Sequence, residues 1–461
     1  MQKTLFLSTA TPSDFTSFRT EPQQRAFERG LRNQERENDR LRRCSLLHRL
    51  IPIFSTKSRL YTKSGCRPIG GKMLSDEDNL FTVTSSHLNT GLRGVPVGTC
   101  RTSFVTPTEG VHYCGYPIAE LAHFPPEDIV YLLFNKELPN ESQSEAFKAD
   151  LASRGRVPPS LDAVFHTLPK DGHPMDWLSV GVHTLGMMDT TGDWKEDTMN
   201  LIARMPRMMG LLFRIREGRD EGIPEDDLSL SMVKRFVRTL DVDDVDHDLM
   251  ERILATYLVL HMDHGGGNLS TFTGKAIASG HATVYASIAG AMNALSGPLH
   301  GRANQSCLEF VLRIGTSDPD EVEAFVRGEL EAKRPVFGFG HAVLRAEDPR
   351  ATVQFALGEQ LCPDDENFKI IRTLREVAPR VLAENPKISN PNANVDIASG
   401  ALLYHVGFKD PTYYTTFFGW ARVAGIGAQI VDERTVMRSG KGTPIYRPKY
   451  YAEQQSLRHI E

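Results

Sequence analysis

Asn200-Leu-Ile-Ala-Arg-Met-Pro-Arg-Met-Met-Gly-Leu-Leu-Phe-Arg-Ile-Arg216 carries apolar residues at three- and four-residue spacing. That period places them on one face, so the stretch predicts an amphipathic helix against a core. The same pattern recurs at residues 126–133, 175–188, 228–240 and 248–262, separated by turn signals such as Gly222-Ile-Pro and Asp241-Val-Asp-Asp. Residues 281–295 are rich in Ala, Gly and Ser, which lets a helix approach its neighbours closely and predicts burial. Strand-like alternation is scarce after Tyr116. A second helical set, 320–333, 350–361 and 370–383, precedes a further helix over 413–430. The prediction is a mainly α chain of two domains: a large helical domain of residues 76–301 and 410–461, and a smaller helical domain, 302–409, inserted into it.

The chain has 461 residues, 40% hydrophobic and 24% charged, with 53 Lys and Arg against 58 Asp and Glu, a formal charge of -5. This balance gives no support to nucleic-acid binding, and an anionic substrate must be drawn by a local arginine cluster rather than by the global field. Apolar runs such as Met208-Met-Gly-Leu-Leu-Phe213 are core-sized and too short to span a bilayer. Six scattered cysteines without CxxC spacing read as reduced apolar fillers rather than a disulfide framework or zinc site. His261 and His264 lack a further ligand pair, so no metal is expected. Gly265-Gly-Gly-Asn268 lacks the Lys and Ser/Thr of a phosphate loop, and Gly338-Phe-Gly340 lacks the third glycine of a dinucleotide fingerprint.

Chemistry gathers further along. Gly297-Pro-Leu-His-Gly-Arg-Ala-Asn-Gln305 sets His300 between glycines, Gly338-Phe-Gly-His-Ala-Val-Leu-Arg345 sets His341 after two more, and Asn394-Val-Asp396 follows a turn-forming segment. Glycines permit backbone geometry or close approach that a side chain would block. A carboxylate is too weak a base to deprotonate carbon beside a thioester unless the developing enolate oxygen receives a hydrogen bond, which a fixed imidazole can give. A second imidazole can polarise an acceptor carbonyl. Two histidines and an aspartate therefore form an inventory for taking a proton from carbon.

These motifs, with Asp348-Pro-Arg350, Ser399-Gly, Phe418-Gly, Arg422, Tyr446-Arg-Pro-Lys449, His173-Pro-Met175 and Asp263-His-Gly-Gly-Gly-Asn268, resemble those of the citrate synthase family in order and spacing over roughly residues 90–450. The resemblance implies that Asp396 removes the methyl proton of acetyl-CoA, His300 stabilises the enolate and His341 polarises the ketone of oxaloacetate. It assigns His264, Arg350, Arg422 and Arg447 to oxaloacetate or the forming citrate, with Arg447 reaching in from the partner of a homodimer, and Arg345 to a coenzyme A phosphate. Guanidinium forks suit paired carboxylates on chemical grounds alone. No cofactor is implied; acetyl-CoA is a substrate. The alternatives are a synthase using propionyl-CoA or a longer acyl-CoA, and a non-catalytic homologue, which would have a mutated acid-base set. Three departures stand out: Gly265 where a glutamate is usual, Cys114 where an arginine is common, and Arg302 where a smaller or apolar residue is common.

Residues 41–75 contain no Asp or Glu and eight Lys or Arg, from Arg42 to Lys72, whereas 21–40 is acidic in places. Residues 1–75 are read as a basic N-terminal extension upstream of a start at Met73 in a cytoplasmic bacterial enzyme; the alternative is a transit peptide to the mitochondrial matrix.

Overall fold

The computed structural model describes residues 79–451 apart from 244 and 342; the basic segment 41–75 lies outside them. A small antiparallel sheet comes first, β1 (Ser103–Thr106), β2 (Gly110–Tyr113) and β3 (Tyr116–Pro117), in the order β1-β2-β3 with Ser103 opposite Tyr113 and His112 opposite Pro117. Sixteen α-helices follow among the described residues. The first ten are α1 (Ile118–Leu121), α2 (Pro126–Asn135), α3 (Glu141–Arg154), α4 (Pro159–Thr167), α5 (Pro174–Met188), α6 (Trp194–Arg216), α7 (Met232–Leu240), α8 (His247–His261), α9 (Leu269–Ser279) and α10 (Val284–Leu295). Then come α11 (Ala303–Ile314), α12 (Pro319–Glu331), α13 (Pro349–Leu361), α14 (Glu366–Ala383), α15 (Asp396–His405) and α16 (Tyr414–Val431).

The periodic stretches are helical, with starts set by caps rather than by periodicity. The segment 228–240 becomes helical only after Ser231, whose hydroxyl accepts from the N–H of Lys234, and 281–295 only after Thr283, which accepts from Ala286. The quoted stretch is the carboxyl-terminal part of α6, capped by Asp193. Helices α1, α3, α4, α9, α11 and α15 are absent from the sequence prediction. Helix α9 (LSTFTGKAIAS) and α15, with Gly400 inside it, are short and rich in small or hydroxyl residues, so their apolar stripes are thin.

Helix α16 is the hub, buried along almost its whole length and packed against α5, α6, α8, α9 and α10. Small residues make this approach possible: a Cβ added at Gly427 would stand 2.4 Å from Thr198 Cγ2 of α6. The predicted close packing of 281–295 is likewise seen at Gly290, where a Cβ would stand 2.2 Å from Ile277 Cδ1 of α9. At the α6–α7–α16 junction Phe213, Phe236 and Phe417 meet with ring centroids 5.2–5.7 Å apart. Truncating one of them to alanine would cost about 3–5 kcal/mol in transfer and cavity terms.

Helices α11 to α15 pack chiefly on one another. Buried Glu329 of α12 accepts from Arg313 of α11 at 3.2 Å and from Arg334 at 2.8 Å. Helix α13 also meets α1 and α8, and α15 meets α8. No described helix is long and apolar enough to cross a membrane. Cys100, Cys307 and Cys362 are thiols, the last two buried.

Candidate active site

Helix α8 ends at His261, and the chain then turns through Asp263-His264-Gly265. Asp263 is fully buried and accepts from Thr102 Oγ1, from the N–H of His264 at 2.9 Å and from Gln429 Nε2 at 2.8 Å, while its own N–H donates to Tyr113 Oη at 3.0 Å. Ser103 Oγ accepts from the Gly265 N–H at 2.7 Å, so the small sheet braces the turn. Gly265 sits at φ +68, a left-handed conformation that a side chain would strain. This accounts for glycine at that departure. His264 Nε2 is buried without a protein partner among the described residues. Burial, followed by the charges of Arg350 and Arg422, keeps this imidazole well below its ordinary pKa and hence neutral.

His300 lies just before α11, and its Nε2 faces Ser270 at the start of α9. The Ser270 N–H is 3.2 Å away and its hydroxyl 2.9 Å. A backbone N–H can only donate, so Nε2 is an acceptor and the proton resides on Nδ1. Burial and then Arg422 lower the pKa of this ring to about 4.

His341 is held the opposite way round. Its Nδ1 accepts from the N–H groups of Val343 and Leu344, each at 3.0 Å, which leaves the proton on Nε2. Burial, then Arg350, lowers its pKa. The rings of His341 and His264 lie 5.4 Å apart, centroid to centroid.

Asp396 is the first residue of α15. The segment before it pairs with the chain before His341: the N–H of Gly340 donates to Asn392 O at 3.0 Å, that of Asn394 to Gly338 O at 2.9 Å, and Asn394 Nδ2 to Gly340 O at 3.0 Å. Asn394 Oδ1 also receives the N–H of Asp396, so one side chain ties base and histidine loops together. Gly338 and Gly340 both have φ +84, which only glycine adopts without strain. Burial raises the Asp396 carboxyl to about 6, against the opposing pull of Arg350.

The arginines differ in how they are held. Arg350, buried on the first turn of α13, makes a fork with Asp348, Nη2 to Oδ2 at 2.7 Å and Nε to Oδ1 at 3.0 Å, and that partner outweighs its desolvation and raises its pKa. Arg422 projects from α16, donates through Nε to His261 O at 2.8 Å and keeps Nη1 buried without a protein partner among the described residues. Burial lowers it to about 10, which leaves it a cation at neutral pH. An unpartnered guanidinium nitrogen, with an unpartnered imidazole nitrogen that donates in its Nε2–H tautomer, both buried, suits a small anion.

Arg345 is exposed and donates to Leu344 O at 2.7 Å and Val343 O at 3.1 Å, on the loop that carries His341. Arg447 is exposed and follows Tyr446, whose N–H donates to Ser279 Oγ at 3.1 Å. His264 and His341 are thus adjacent, Arg350 acts on both, Arg350 and Arg422 also act on Asp396, and Arg447 lies on the surface. Cys114 adopts φ +49, and its thiol donates to the carbonyls of Thr102 and Leu132 at 3.5 Å each. The Nε of Arg302 is buried without a hydrogen-bond partner among the described residues, and nothing in the structure explains the residue.

The sequence motifs contained Asp263, Ser270, Asp348, Asn394 and Gln429 or lay near them, but sequence reasoning assigned none of them a role. The only available signal was short-range: Asp348 and Asn268 are side-chain caps of α13 and α9. A cavity of about 1360 Å³ lies elsewhere, lined by Phe124, Leu228, Met232, Val353 and Leu357. It includes none of the predicted site residues, and the chemistry follows the polar cluster instead. Among the described residues there is no group of three or more His, Cys, Asp or Glu that could hold a metal.

The family model for the citrate synthase C-terminal domain matches residues 91–449. A mitochondrial 2-methylcitrate synthase of Yarrowia lipolytica is 34% identical over 79% of this chain and 83% of its own. The peroxisomal citrate synthase of Saccharomyces cerevisiae is 34% identical over 79% and 84%. Among solved structures, citrate synthase of Thermotoga maritima superposes with a TM-score of 0.69 at 28% identity, covering 80% of this chain and 97% of that one. The Thermoplasma acidophilum enzyme, in ternary complex with carboxymethyl coenzyme A and oxaloacetate, shares the fold at TM-score 0.70 and 22% identity, over 81% and 98%.

Proposed function

The chain belongs to the citrate synthase family, and from that premise we propose that its acyl donor is acetyl-CoA and that His300, His341 and Asp396 perform the condensation. It is a transferase of the class that joins an acyl-CoA to oxaloacetate. The observation that carries the assignment is the opposite anchoring of two neutral imidazoles whose arginine neighbours, Arg422 for His300 and Arg350 for His341, also act on the Asp396 carboxylate. Nδ1 of His300 and Nε2 of His341 are left as donors.

Asp396 takes a proton from the thioester methyl group, and the C–H electrons become the enolate double bond. The thioester oxygen takes up the negative charge and is met by the His300 Nδ1–H. The enolate carbon then attacks the oxaloacetate ketone to form the new C–C bond, the ketone's π electrons moving to its oxygen, which the His341 Nε2–H polarises by a hydrogen bond. That oxygen takes a proton from solvent and Asp396 returns its own to solvent, so both side chains are restored. Water cleaves the resulting citryl thioester to citrate and coenzyme A. A base raised to about 6 by burial remains mostly ionised at neutral pH and is stronger than an ordinary aspartate.

The buried donors Arg422 Nη1 and His264 Nε2, with Arg350, suit the oxaloacetate carboxylates. Arg345 is assigned to a coenzyme A phosphate, and Arg447 to the partner's site in a homodimer. The pathway needs no metal or prosthetic group. Closure of the helices of 302–409 over bound oxaloacetate would keep water from the thioester until carbon has been joined to carbon. The mitochondrial and peroxisomal relatives favour the organelle reading of the basic segment over the cytoplasmic one.

The test is coenzyme A release with acetyl-CoA and propionyl-CoA side by side, each with and without oxaloacetate. Release only with oxaloacetate and a higher kcat/KM for acetyl-CoA are expected. A preference for propionyl-CoA would move the reading to 2-methylcitrate synthase, and release without oxaloacetate would make it a thioesterase.

A further inference from the structure

Gly265 raises the question of what holds His264, because no side chain follows that histidine in this chain. Resting on the condensation reading above, we propose that Gln429 is a positioning residue for His264, oriented in turn by the buried Lys275–Glu433 pair.

Arg422, Gly425 and Gln429 occupy one stripe of α16, at i, i+3 and i+7. Each grips a successive level of the chain from His261 to Gly265. Arg422 Nε donates to His261 O at 2.8 Å. At Gly425 the helix comes so close that a Cβ would stand 2.1 Å from Met262 O and 2.8 Å from Asp263 Cβ. Gln429 Nε2 donates both to Asp263 Oδ1 at 2.8 Å and to Gly265 O at 3.2 Å. Asp263 Oδ1 is the same oxygen that accepts the His264 N–H at 2.9 Å. One amide group therefore holds the residue before the histidine, the residue after it and, through Asp263, the histidine's own N–H.

The amide can do this in only one of its two orientations. Lys275 Nζ lies 3.4 Å from Gln429 Oε1, and an ammonium can only donate. The Asp263 carboxylate, which already accepts from two other donors, requires the NH₂ end. The two neighbours select the same orientation. Lys275 is itself fixed by Glu433 at 2.8 Å, with the two side chains 6% and 5% exposed. Such a network has few alternative arrangements, so its geometry is transmitted to the loop it ends on.

The experiment measures oxaloacetate Kd by calorimetry, with kcat and Tm in parallel, on the full-length enzyme. Gln429→Met keeps the bulk and removes the donor, and should weaken oxaloacetate binding about tenfold while the KM for acetyl-CoA stays within about twofold. Lys275→Arg keeps a cationic donor and should retain the wild-type Kd, whereas Lys275→Met should reproduce the Gln429→Met defect. A Gln429→Met enzyme with wild-type oxaloacetate Kd overturns the proposal. If that variant does not fold, equal Kd values for Lys275→Arg and Lys275→Met overturn it instead. A wild-type enzyme that releases no coenzyme A in the presence of oxaloacetate defeats the functional reading, an outcome distinct from either of these.

Discussion

Ser270 presents both its backbone N–H and its hydroxyl to a single atom of His300, Nε2, at 3.2 and 2.9 Å. Ser270→Ala keeps the first bond and loses the second. One neutral hydrogen bond is worth about 0.5–1.5 kcal/mol, so kcat should fall about two- to tenfold with oxaloacetate Kd unchanged. Steady-state kinetics with calorimetry would check this, and an unaltered kcat would mean that the hydroxyl does not orient the ring.

Asp396→Asn should lower kcat by roughly two to four decades, the usual loss for a positioned base. In the wild type, kcat/KM should fall about tenfold per pH unit below about pH 6, where Asp396 becomes protonated. The same shift carries a stability consequence. Because the folded pKa lies above the unfolded one, the folded chain binds the extra proton between the two values, and the cost of the charge is fully present above about 6. A shift of about two units corresponds to about 3 kcal/mol. Asp396→Asn should therefore raise Tm near pH 8, with the gain fading as pH falls from about 6 towards 4. Equal Tm values at the higher pH would show that burial does not strain the carboxylate.

Asp348 is both the helix cap and the counter-charge of Arg350, through bonds of 3.0 Å to its N–H and 2.7 Å to Nη2. Asp348→Ala leaves a buried guanidinium unpaired and should destabilise the fold by about 3–5 kcal/mol. Chemical denaturation would read this directly, and a loss below about 1 kcal/mol would place Arg350 in a more solvated setting than its 3% exposure implies.

Gly338→Ala should damage both stability and turnover. Its φ of +84 disfavours a side chain, and a Cβ would stand 2.8 Å from Ile397 Cδ1 and 2.9 Å from Cys307 Sγ. Strain of about 1–3 kcal/mol would be relieved by moving the His341 loop away from Asp396. A variant with wild-type Tm and kcat would refute that coupling.

On the proposed homodimer with Arg447 serving the neighbouring site, Arg447→Ala and Asp396→Ala enzymes should each be crippled, yet co-expressed subunits should recover about a quarter of wild-type activity. Half the dimers are mixed, and each has one intact site of two. Mixed dimers verified by mass but inactive would place Arg447 outside the neighbouring site.

Most helices were legible because their stripes are thick: α2, α5, α6, α8, α13 and α16 fall where apolar spacing puts them, with ends shifted by caps such as Ser231. Helices α1, α3, α4, α9, α11 and α15 escaped; in α9 and α15 glycine, serine and threonine dilute the period. His300, His341 and Asp396 were legible as an inventory because glycines and a turn mark them, and His264 because its motif does. Their partners were not, because Ser270 is 30 residues from His300 and Gln429 is 166 from Asp263.

From sequence alone came the helical class, the acid-base inventory and the family, all of which depend on residue type and local spacing. Only the tertiary structure decided which nitrogen of each imidazole carries its proton, how far Asp396 is desolvated and what secures His264. Those properties depend on donors and low-dielectric neighbours that packing brings in from distant parts of the chain, and local spacing does not encode them.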